Sequence, residues 1–530
     1  MKHLMATRPA LLARVMGLAL TVMIATATAP AQSAAGEPTL VQVDGGTVRG
    51  TAANDVIAFK GIPFAQPPVG ALRWRPPQPV APWKGVLEAS HWQSDCVQLP
   101  SERTSEDCLY ANVWRPASAW DKPLPVMVWI YGGGLVRGGA SIYPGDFLAR
   151  QGLVFVSFNY RIGRLGFFAH PALAHEAPDA PRGNYGYMDQ IAALQWVQRN
   201  IAAFGGDPNT VTIAGESAGG GSVLVLLTSP MARGLFHRAI LESPGIPTPR
   251  AGATPLRDLV AAEMIAVDYA RAAGITGDDA AALAALRALP TAKVAEGTEA
   301  QPAIAAMFGG PQVLGISNSI IDGRLVVETP EAALRAGRHA MVPVISGAND
   351  YDLAISMAQT KEALFAQFGP LAAHARALYD PRGDASLKEL IQAIIADRVM
   401  VEPSRHLAEM MAKSGQPAYF YRFSYVPEPQ RGKVPGATHA SEILFAFDAA
   451  SAVLKETATN GDVDMARTMS GYWAGFVKTG NPNGEGRPEW PRYDPNARGV
   501  LNFTNTGVTA GPDPLKERLD LWQAVWERGC

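Results

Sequence analysis

The sequence has little that would tie it to a membrane, a nucleic acid or a metal. Beyond the N-terminal region no segment approaches eighteen uninterrupted apolar residues, which excludes stable membrane insertion of the mature protein. The formal net charge is −2, and no basic run with interleaved aromatic residues occurs, so a nucleic acid partner is not expected. No Cys/His cluster has metal-ligand spacing, so no metal site is predicted.

Internal repeats and low-complexity segments are also missing from the 530 residues. Length alone would suggest two or three domains, but large α/β folds often form one unit. We therefore predict a single domain over residues 32–530, preceded by a processing signal at 1–31. The oligomeric state cannot be read from these features.

The N-terminus has the three parts of a secretory signal peptide. Lys2, Arg8 and Arg14 supply positive charge, an apolar stretch follows at 15–27, and Ala-Pro-Ala at 29–31 offers a cleavage site. Ser-Ala-Ala at 33–35 is an alternative site. The apolar stretch is too short to span a bilayer comfortably. The mature protein is therefore expected in the periplasm or outside the cell.

Only three cysteines are present, and two of them fit an oxidising compartment. Cys96 and Cys108 enclose eleven polar, loop-like residues, and we expect them to form a disulfide. Such a bond would contribute roughly 2–3 kcal/mol by restricting the unfolded chain. Cys530, the last residue, is expected to be unpaired.

Strand and helix patterns alternate along the chain. Near-continuous apolar runs at 126–131 and 153–160 are typical of central strands buried on two faces. Apolar residues at helical spacing predict a helix over 189–203, with Asp189 in its first turn. This alternation predicts an α/β protein with a mostly parallel sheet flanked by helices. Ala-rich stretches at 255–300 and 385–413 predict helices outside the sheet, which either border the substrate cleft or only cover the sheet.

The most informative motif is Gly-Glu-Ser-Ala-Gly at 215–219. The pattern predicts a buried strand over residues 211–214, before the motif, and a helix over 219–227, after it. This order of strand, turn and helix is the setting of a nucleophile elbow. A serine on that turn projects its hydroxyl away from the backbone, and the flanking glycines allow a close chain approach. Ser217 is therefore the candidate nucleophile.

A serine nucleophile needs a base, and in α/β-hydrolases the base follows it along the chain. Three downstream histidines are candidates. His339 has the polar surroundings of a surface residue, and His406 lies in a predicted helix. His439 lies in a Gly-containing loop beyond a strand, from which it could reach the carboxyl edge of the sheet. We therefore favour His439 as the base.

The sequence also indicates which backbone N–H groups could donate hydrogen bonds to an oxyanion. Three glycines at 132–134 directly follow a predicted central strand, so their N–H groups are not screened by side chains. The N–H groups of Gly133, Gly134 and Ala218 together form a plausible three-donor oxyanion hole.

At this point the chain resembles the type-B carboxylesterases, the family of the cholinesterases and bacterial para-nitrobenzyl esterases. The resemblance spans roughly residues 38–527. Besides the elbow and the glycines, the matching blocks are 61–65, 105–110, 159–163, 184–186, 204–208, 480–483 and 490–491.

The resemblance implies an α/β-hydrolase fold, and we expect the Ala-rich helical insertions to border its active-site cleft. It also implies ester hydrolysis through an acyl-enzyme, without a cofactor. The family's triad serine and histidine fall on Ser217 and His439, and its oxyanion glycines fall on Gly133 and Gly134. Its supporting serine falls on Ser243, twenty-six residues after the nucleophile. The family's first disulfide falls on Cys96 and Cys108.

The triad acid departs from the family pattern. The family usually has a glutamate five residues after a glycine that ends a strand, and here that position is Asp352, five residues after Gly347. Aspartate can orient the imidazole equally well, but it is one methylene shorter. Asp350 is the competing candidate.

The substrate is less well defined than the chemistry. The loop between Cys96 and Cys108 has no aromatic residue that could receive a quaternary ammonium group, which argues against choline esters. Glu216, beside the nucleophile, matches the family and could either tune the electrostatics of the site or only hold structural hydrogen bonds. We expect small-molecule esters as substrates. The alternatives are a lipase for longer acyl chains and a catalytically silent binding protein, which would usually have lost the serine or the histidine.

Overall fold

The computed structural model describes residues 39–528, except for 101–102, 119, 177, 179, 245–255, 300–312, 314, 316–317 and 357. The predicted signal peptide, its cleavage sites and Cys530 lie outside the described residues. The strands are β1 Leu40–Val43, β2 Gly46–Arg49, β3 Thr51–Ala53, β4 Val56–Pro63, β5 Val86–Glu88, β6 Asp95–Cys96, β7 Thr104–Ser105, β8 Tyr110–Pro116, β9 Leu124–Ile130, β10 Val154–Phe158, β11 Gly206–Glu216, β12 Arg238–Glu242, β13 Arg257–Asp258, β14 Ile320–Ile321, β15 Val344–Asn349, β16 Ala418–Phe423, β17 Gly499–Thr504 and β18 Gly507–Pro512.

Eleven of these strands form one sheet in the order β18-β17-β16-β15-β12-β11-β9-β10-β8-β4-β3. The seven strands from β17 to β10 in this order run parallel to one another. At one edge β18 pairs antiparallel, and at the other β8, β4 and β3 do so. The predicted mostly parallel sheet is therefore confirmed, with antiparallel edges.

Helices flank this sheet. No helix in the described ranges combines the length and the apolar character needed to cross a membrane. The helices are α1 Asp146–Arg150, α2 Gly163–Gly166, α3 Tyr185–Asn200, α4 Ala218–Thr228, α5 Leu259–Ala272, α6 Ala280–Ala288, α7 Thr291–Ala295, α8 Pro330–Arg335, α9 Lys361–Ala366, α10 Ala372–Tyr379, α11 Leu387–Ala396, α12 Glu402–Lys413, α13 Ile443–Ala446, α14 Ala450–Leu454, α15 Asn460–Thr479 and α16 Lys516–Glu527.

The two apolar runs are adjacent parallel strands at the centre of the sheet. In β9, Val126 to Ile130 are all fully buried, and every residue of β10 is buried as well. Side chains on both faces of such strands leave water, and each fully buried aliphatic side chain stabilises the fold by roughly 1.5–3 kcal/mol. The position of these strands therefore follows directly from their composition.

Helix α3 begins four residues earlier than the sequence predicted, and Asp189 does not belong to its first turn. Asp189 is fully buried, and its carboxylate lies 2.8 Å from both Nε and Nη2 of Arg161. The backbone N–H of Arg161 donates to the same carboxylate at 3.0 Å. Asp189 thus pairs with a buried arginine. In the sequence an aspartate before an apolar, helix-spaced stretch looks the same as a residue that starts a helix, which explains the misplaced boundary.

Both Ala-rich stretches are helical, as predicted. The second one contains α11 and α12, joined by a π-helical turn at Asp397–Val401. Helix α12 packs on β15 and β16, and the hydroxyl of Ser404 donates to the carbonyl of Gly347 at 3.2 Å. This part of the stretch therefore covers the sheet.

Cys96 and Cys108 form the predicted disulfide, and both residues are buried. The loop they close is tied to the segment after β9, because the side chain of Gln98 exchanges two hydrogen bonds with the backbone of Gly138, at 2.7 and 2.9 Å. The disulfide therefore anchors two loops next to each other.

Parallel pairing brings the carboxyl ends of neighbouring strands to one edge of the sheet. The segments that follow β9, β11, β12, β15 and β16 carry the glycines at 132–134, Ser217, Ser243, Asp352 and His439, respectively. Ligand sites of open α/β sheets lie at this edge. The topology alone therefore places the predicted site residues at the same edge of the sheet.

Candidate active site

Ser217 occupies a strained turn between β11 and α4. Its φ of 56° is unusual for a residue with a side chain, and such a conformation costs on the order of 1–3 kcal/mol. Its N–H donates to the carbonyl of Glu242 at 2.9 Å, which fixes the turn on the neighbouring strand. A methyl group on Gly215 would lie 2.6 Å from the carbonyl carbon of Gly219, so the turn requires the flanking glycine.

His439 lies in the loop between β16 and α13, with its ring between two other predicted residues. Its Nε2 is 2.8 Å from Oγ of Ser217, and its Nδ1 is 2.5 Å from Oδ1 of Asp352. The side chain keeps 22% of its surface exposed, which leaves the ring accessible to a small molecule. The three residues form one continuous chain of polar contacts.

Asp352 is buried and held by several donors. Besides His439, it accepts hydrogen bonds from the hydroxyl of Ser243 at 2.7 Å and from the N–H groups of Asn349 and Leu353 at 3.0 and 2.7 Å. Burial alone would raise the pKa of Asp352, but the charge and hydrogen bond of His439 hold it below its usual range. The carboxylate is thus ionised and its orientation is fixed.

Asp350 has a different place in this region. Its Oδ1 accepts the N–H of Ala437 at 2.8 Å, so it braces the loop that carries His439. Burial raises the pKa of Asp350. The structure brings Asp352, and not Asp350, to the imidazole.

The glycines at 132–134 lie against the nucleophile. A methyl group on Gly132 would lie 3.0 Å from Cβ of Ser217 and 2.6 Å from the carbonyl oxygen of Glu216. Gly133 and Gly134 adopt φ values of 102° and 65°, which favour glycine. Within the described residues their N–H groups have no recorded acceptor, and the N–H of Ala218 opens α4, where the first N–H groups have no partner in the helix.

Three buried glutamates surround this chain of contacts, and the sequence analysis singled out only one of them. Glu216 lies 3.2 Å from Nε2 of His439, and Glu242 accepts the indole N–H of Trp473 at 2.7 Å. Glu442 contacts the side-chain amide of Asn349. Burial raises the pKa of each glutamate to about 8. Burial thus favours the neutral form of each carboxyl, whereas the contact of Glu216 with His439 favours its charged form.

Asn349 was also missed, although it joins the two loops of the site. Its backbone donates to Asp352, and its side-chain amide donates to the carbonyl of Thr438 at 2.7 Å, next to His439. The only sequence signal was its position within the Gly347–Asp352 spacing. Glu242 directly precedes Ser243, and Glu442 follows His439 by three residues, so each had only a similarly weak signal in the sequence.

The other two histidines lie elsewhere. His339 was expected at the surface, but it is fully buried, with Nδ1 3.1 Å from the carbonyl oxygen of Ala340. Its polar neighbour Arg338 is exposed and pairs with Glu328, which explains the misleading local composition. His406 lies in α12 as expected and contacts Glu331 at 3.1 Å. No group of three or more potential metal ligands occurs within the described ranges.

The charge of Glu216 should control the protonation of His439. Burial by itself would lower the pKa of His439, but Glu216 and Asp352 outweigh this effect and raise it to about 10. A neutral base is needed, so in Glu216→Gln the lower pKa should move the acidic limb of the kcat/KM profile to lower pH, by about one unit or more.

The matched control for this experiment is Glu242→Gln, because Glu242 is equally buried but bonds Trp473 rather than the imidazole. Its profile should shift less. An unchanged acidic limb in Glu216→Gln would mean that Glu216 stays protonated and exerts no charge on His439.

Comparison with known proteins identifies the family. A family model described as "Carboxylesterase family" matches residues 37–522. The chain belongs to this family. A fumonisin B1 esterase of Sphingopyxis macrogoltabida is 35% identical to this carboxylesterase over 527 residues, covering 94% of this chain and 93% of that protein. A liver carboxylesterase of Sus scrofa is 36% identical, with coverage of 90% and 91%.

The solved structures agree with this assignment. A structure of PNB esterase superposes with a TM-score of 0.77 at 32% identity and covers 92% of this chain and 100% of that one. The carboxylesterase therefore has the α/β-hydrolase fold predicted from its resemblance. Its biochemical class is that of a carboxylic ester hydrolase.

Proposed function

We propose that this carboxylesterase hydrolyses its substrates through a covalent acyl-enzyme on Ser217. One observation carries the proposal: the imidazole of His439 contacts the carboxylate of Asp352 at 2.5 Å through Nδ1 and the hydroxyl of Ser217 at 2.8 Å through Nε2. A nucleophile, a base and a group that orients the base are the three side chains that acyl transfer by serine requires.

In the first half-reaction Oγ of Ser217 attacks the carbonyl carbon of the ester, and its proton passes to Nε2 of His439. The carbonyl oxygen becomes an oxyanion, which the N–H groups of Gly133, Gly134 and Ala218 stabilise. Asp352 accepts the Nδ1–H of the imidazole and stabilises its cation. When the intermediate collapses, the alcohol leaves with the proton from Nε2, and the acyl group remains on Ser217.

Water then repeats these steps in the second half-reaction. His439 accepts a proton from water, the hydroxide attacks the acyl carbon, and Ser217 recovers its proton as the acid departs. Ser243 is a positioning residue, because it holds Asp352 and does not touch the reacting atoms. Glu216 modulates the base from the opposite side.

Export from the cytoplasm belongs to the same proposal. The N-terminal charge and apolar stretch have the pattern of a signal peptide, and the Cys96–Cys108 disulfide fits an oxidising compartment. We therefore place the mature enzyme in the periplasm or the medium.

A chain-length series of para-nitrophenyl esters tests the proposed activity and separates it from that of a lipase. We expect kcat/KM to be highest for short and medium acyl chains, from acetate to octanoate, and to fall for palmitate. A maximum at palmitate, increased further by an oil–water interface, would indicate a lipase. No turnover of any chain length would contradict the esterase proposal and favour a binding protein.

A further inference from the structure

An arginine side chain begins directly beside the proposed oxyanion hole. Arg137 follows Gly134 by three residues, and a methyl group on Gly133 would lie 2.8 Å from its Cγ. Gly132, the next residue back, lies against Ser217. The aliphatic part of Arg137 is thus packed on the loop that borders the reacting atoms, while the side chain as a whole is exposed.

The backbone at Arg137 is held in place on both sides. Its N–H donates to the carbonyl of Gly133 at 3.1 Å, and the following residue, Gly138, exchanges two hydrogen bonds with Gln98 of the disulfide loop. The backbone from which the side chain of Arg137 starts is therefore fixed beside the site.

The guanidinium of Arg137 has no recorded partner among the residues that the structure describes: no hydrogen bond, ion pair or ring contact. The neighbouring buried arginines differ in this respect, because Arg73 pairs with Glu106 and Arg161 with Asp189, at 2.5 and 2.8 Å. Structural arginines in this region are paired, and the one beside the site is not.

The surrounding charges allow an anion to approach. Glu216, Glu242 and Glu442 repel an anion less than exposed carboxylates would, since burial raises the pKa of each to about 8. The charge of Asp352 is offset by its contact with His439. A planar guanidinium is well suited to bind a carboxylate through two parallel hydrogen bonds.

We propose that Arg137 binds a free carboxylate of the substrate, so that the enzyme prefers esters bearing a second, ionised carboxyl group. The inference rests on the proposed function of Ser217. The carboxylate belongs either to the acyl part or to the alcohol part of the ester, and the same experiment distinguishes the two.

Two matched pairs of substrates provide the test. On the acyl side, mono-para-nitrophenyl adipate is compared with its neutral isostere, para-nitrophenyl 6-methylheptanoate. On the alcohol side, 4-carboxyphenyl butanoate is compared with 4-carbamoylphenyl butanoate. For each pair the measured quantity is the ratio of kcat/KM for the charged ester to that for the neutral one.

We expect Arg137→Gln to lower this ratio at least tenfold for one of the two pairs, and Arg137→Lys to lower it less. The control is Arg382→Gln, which removes the same charge from an 83% exposed arginine in the turn between α10 and α11. Its ratios should equal those of the wild type. The wild-type ratio should also fall at high salt, because the guanidinium is exposed.

Ratios that stay within twofold of the wild type in Arg137→Gln, for both pairs, would overturn the inference. An equal loss on the charged and neutral esters would also overturn it, because Arg137 would then support the loop rather than bind a carboxylate. Neither result would affect the proposed function, which fails only if neutral esters are not hydrolysed or if Ser217→Ala still hydrolyses them.

Discussion

Replacing Ser217 with alanine is expected to lower kcat for para-nitrophenyl esters by roughly 10⁴- to 10⁶-fold, with the protein still folded. In the proposed mechanism Oγ of Ser217 forms the covalent bond to the acyl group, and neither His439 nor Asp352 can take over that role. Loss of Oγ removes one contact of His439 but leaves the imidazole bonded to Asp352. Steady-state rates and the thermal midpoint, measured on the same sample, check both parts.

A nearby serine provides the matched control. Ser441 lies two residues after His439, and its Oγ has no hydrogen-bond partner within the described part of the chain. Ser441→Ala should therefore hydrolyse the same esters at about the wild-type rate. A fluorinated organophosphonate should label the wild type once, on Ser217, and should not label Ser217→Ala. Stoichiometric labelling of another residue would assign the nucleophile elsewhere.

The sequence predicted best the features that depend on neighbouring residues. The strands β9 and β10 could be recognised because strands buried on both faces are apolar throughout. The turn at Ser217 could be recognised because strand, glycines and helix follow one another directly. Helix α3 was misplaced at its start because the sequence does not show that Asp189 pairs with Arg161.

The less predictable part of the site depends on residues that are distant in the chain. Glu242 and Trp473 are separated by 231 positions, and Asn349 and Glu442 by 93. Neither pair has a motif, because the first interaction arises only when α15 lies beside the end of β12, and the second only when the loop after β16 reaches the end of β15. Composition also misled at His339, where an exposed arginine precedes a buried histidine.

The choice between the two aspartates is the sharpest remaining test of the site. Asp352→Asn should lower kcat by about 10⁴-fold, because an amide at this position no longer stabilises the imidazolium and favours the wrong tautomer of His439. Asp350→Asn should lower kcat far less, since an amide oxygen can still accept the N–H of Ala437. Both variants carry the same charge change, and their thermal midpoints show whether each is folded.

A third substitution tests whether activity depends more on the negative charge at position 352 or on the length of the side chain that carries it. Asp352→Glu keeps the carboxylate but adds a methylene at a buried position whose oxygens already accept from His439, Ser243, Asn349 and Leu353. We therefore expect an activity between those of Asp352→Asn and the wild type. If Asp350→Asn proves the more damaging change while both proteins are folded, the acid is Asp350. The contact of 2.5 Å between Asp352 and His439 would then serve only to hold the loop.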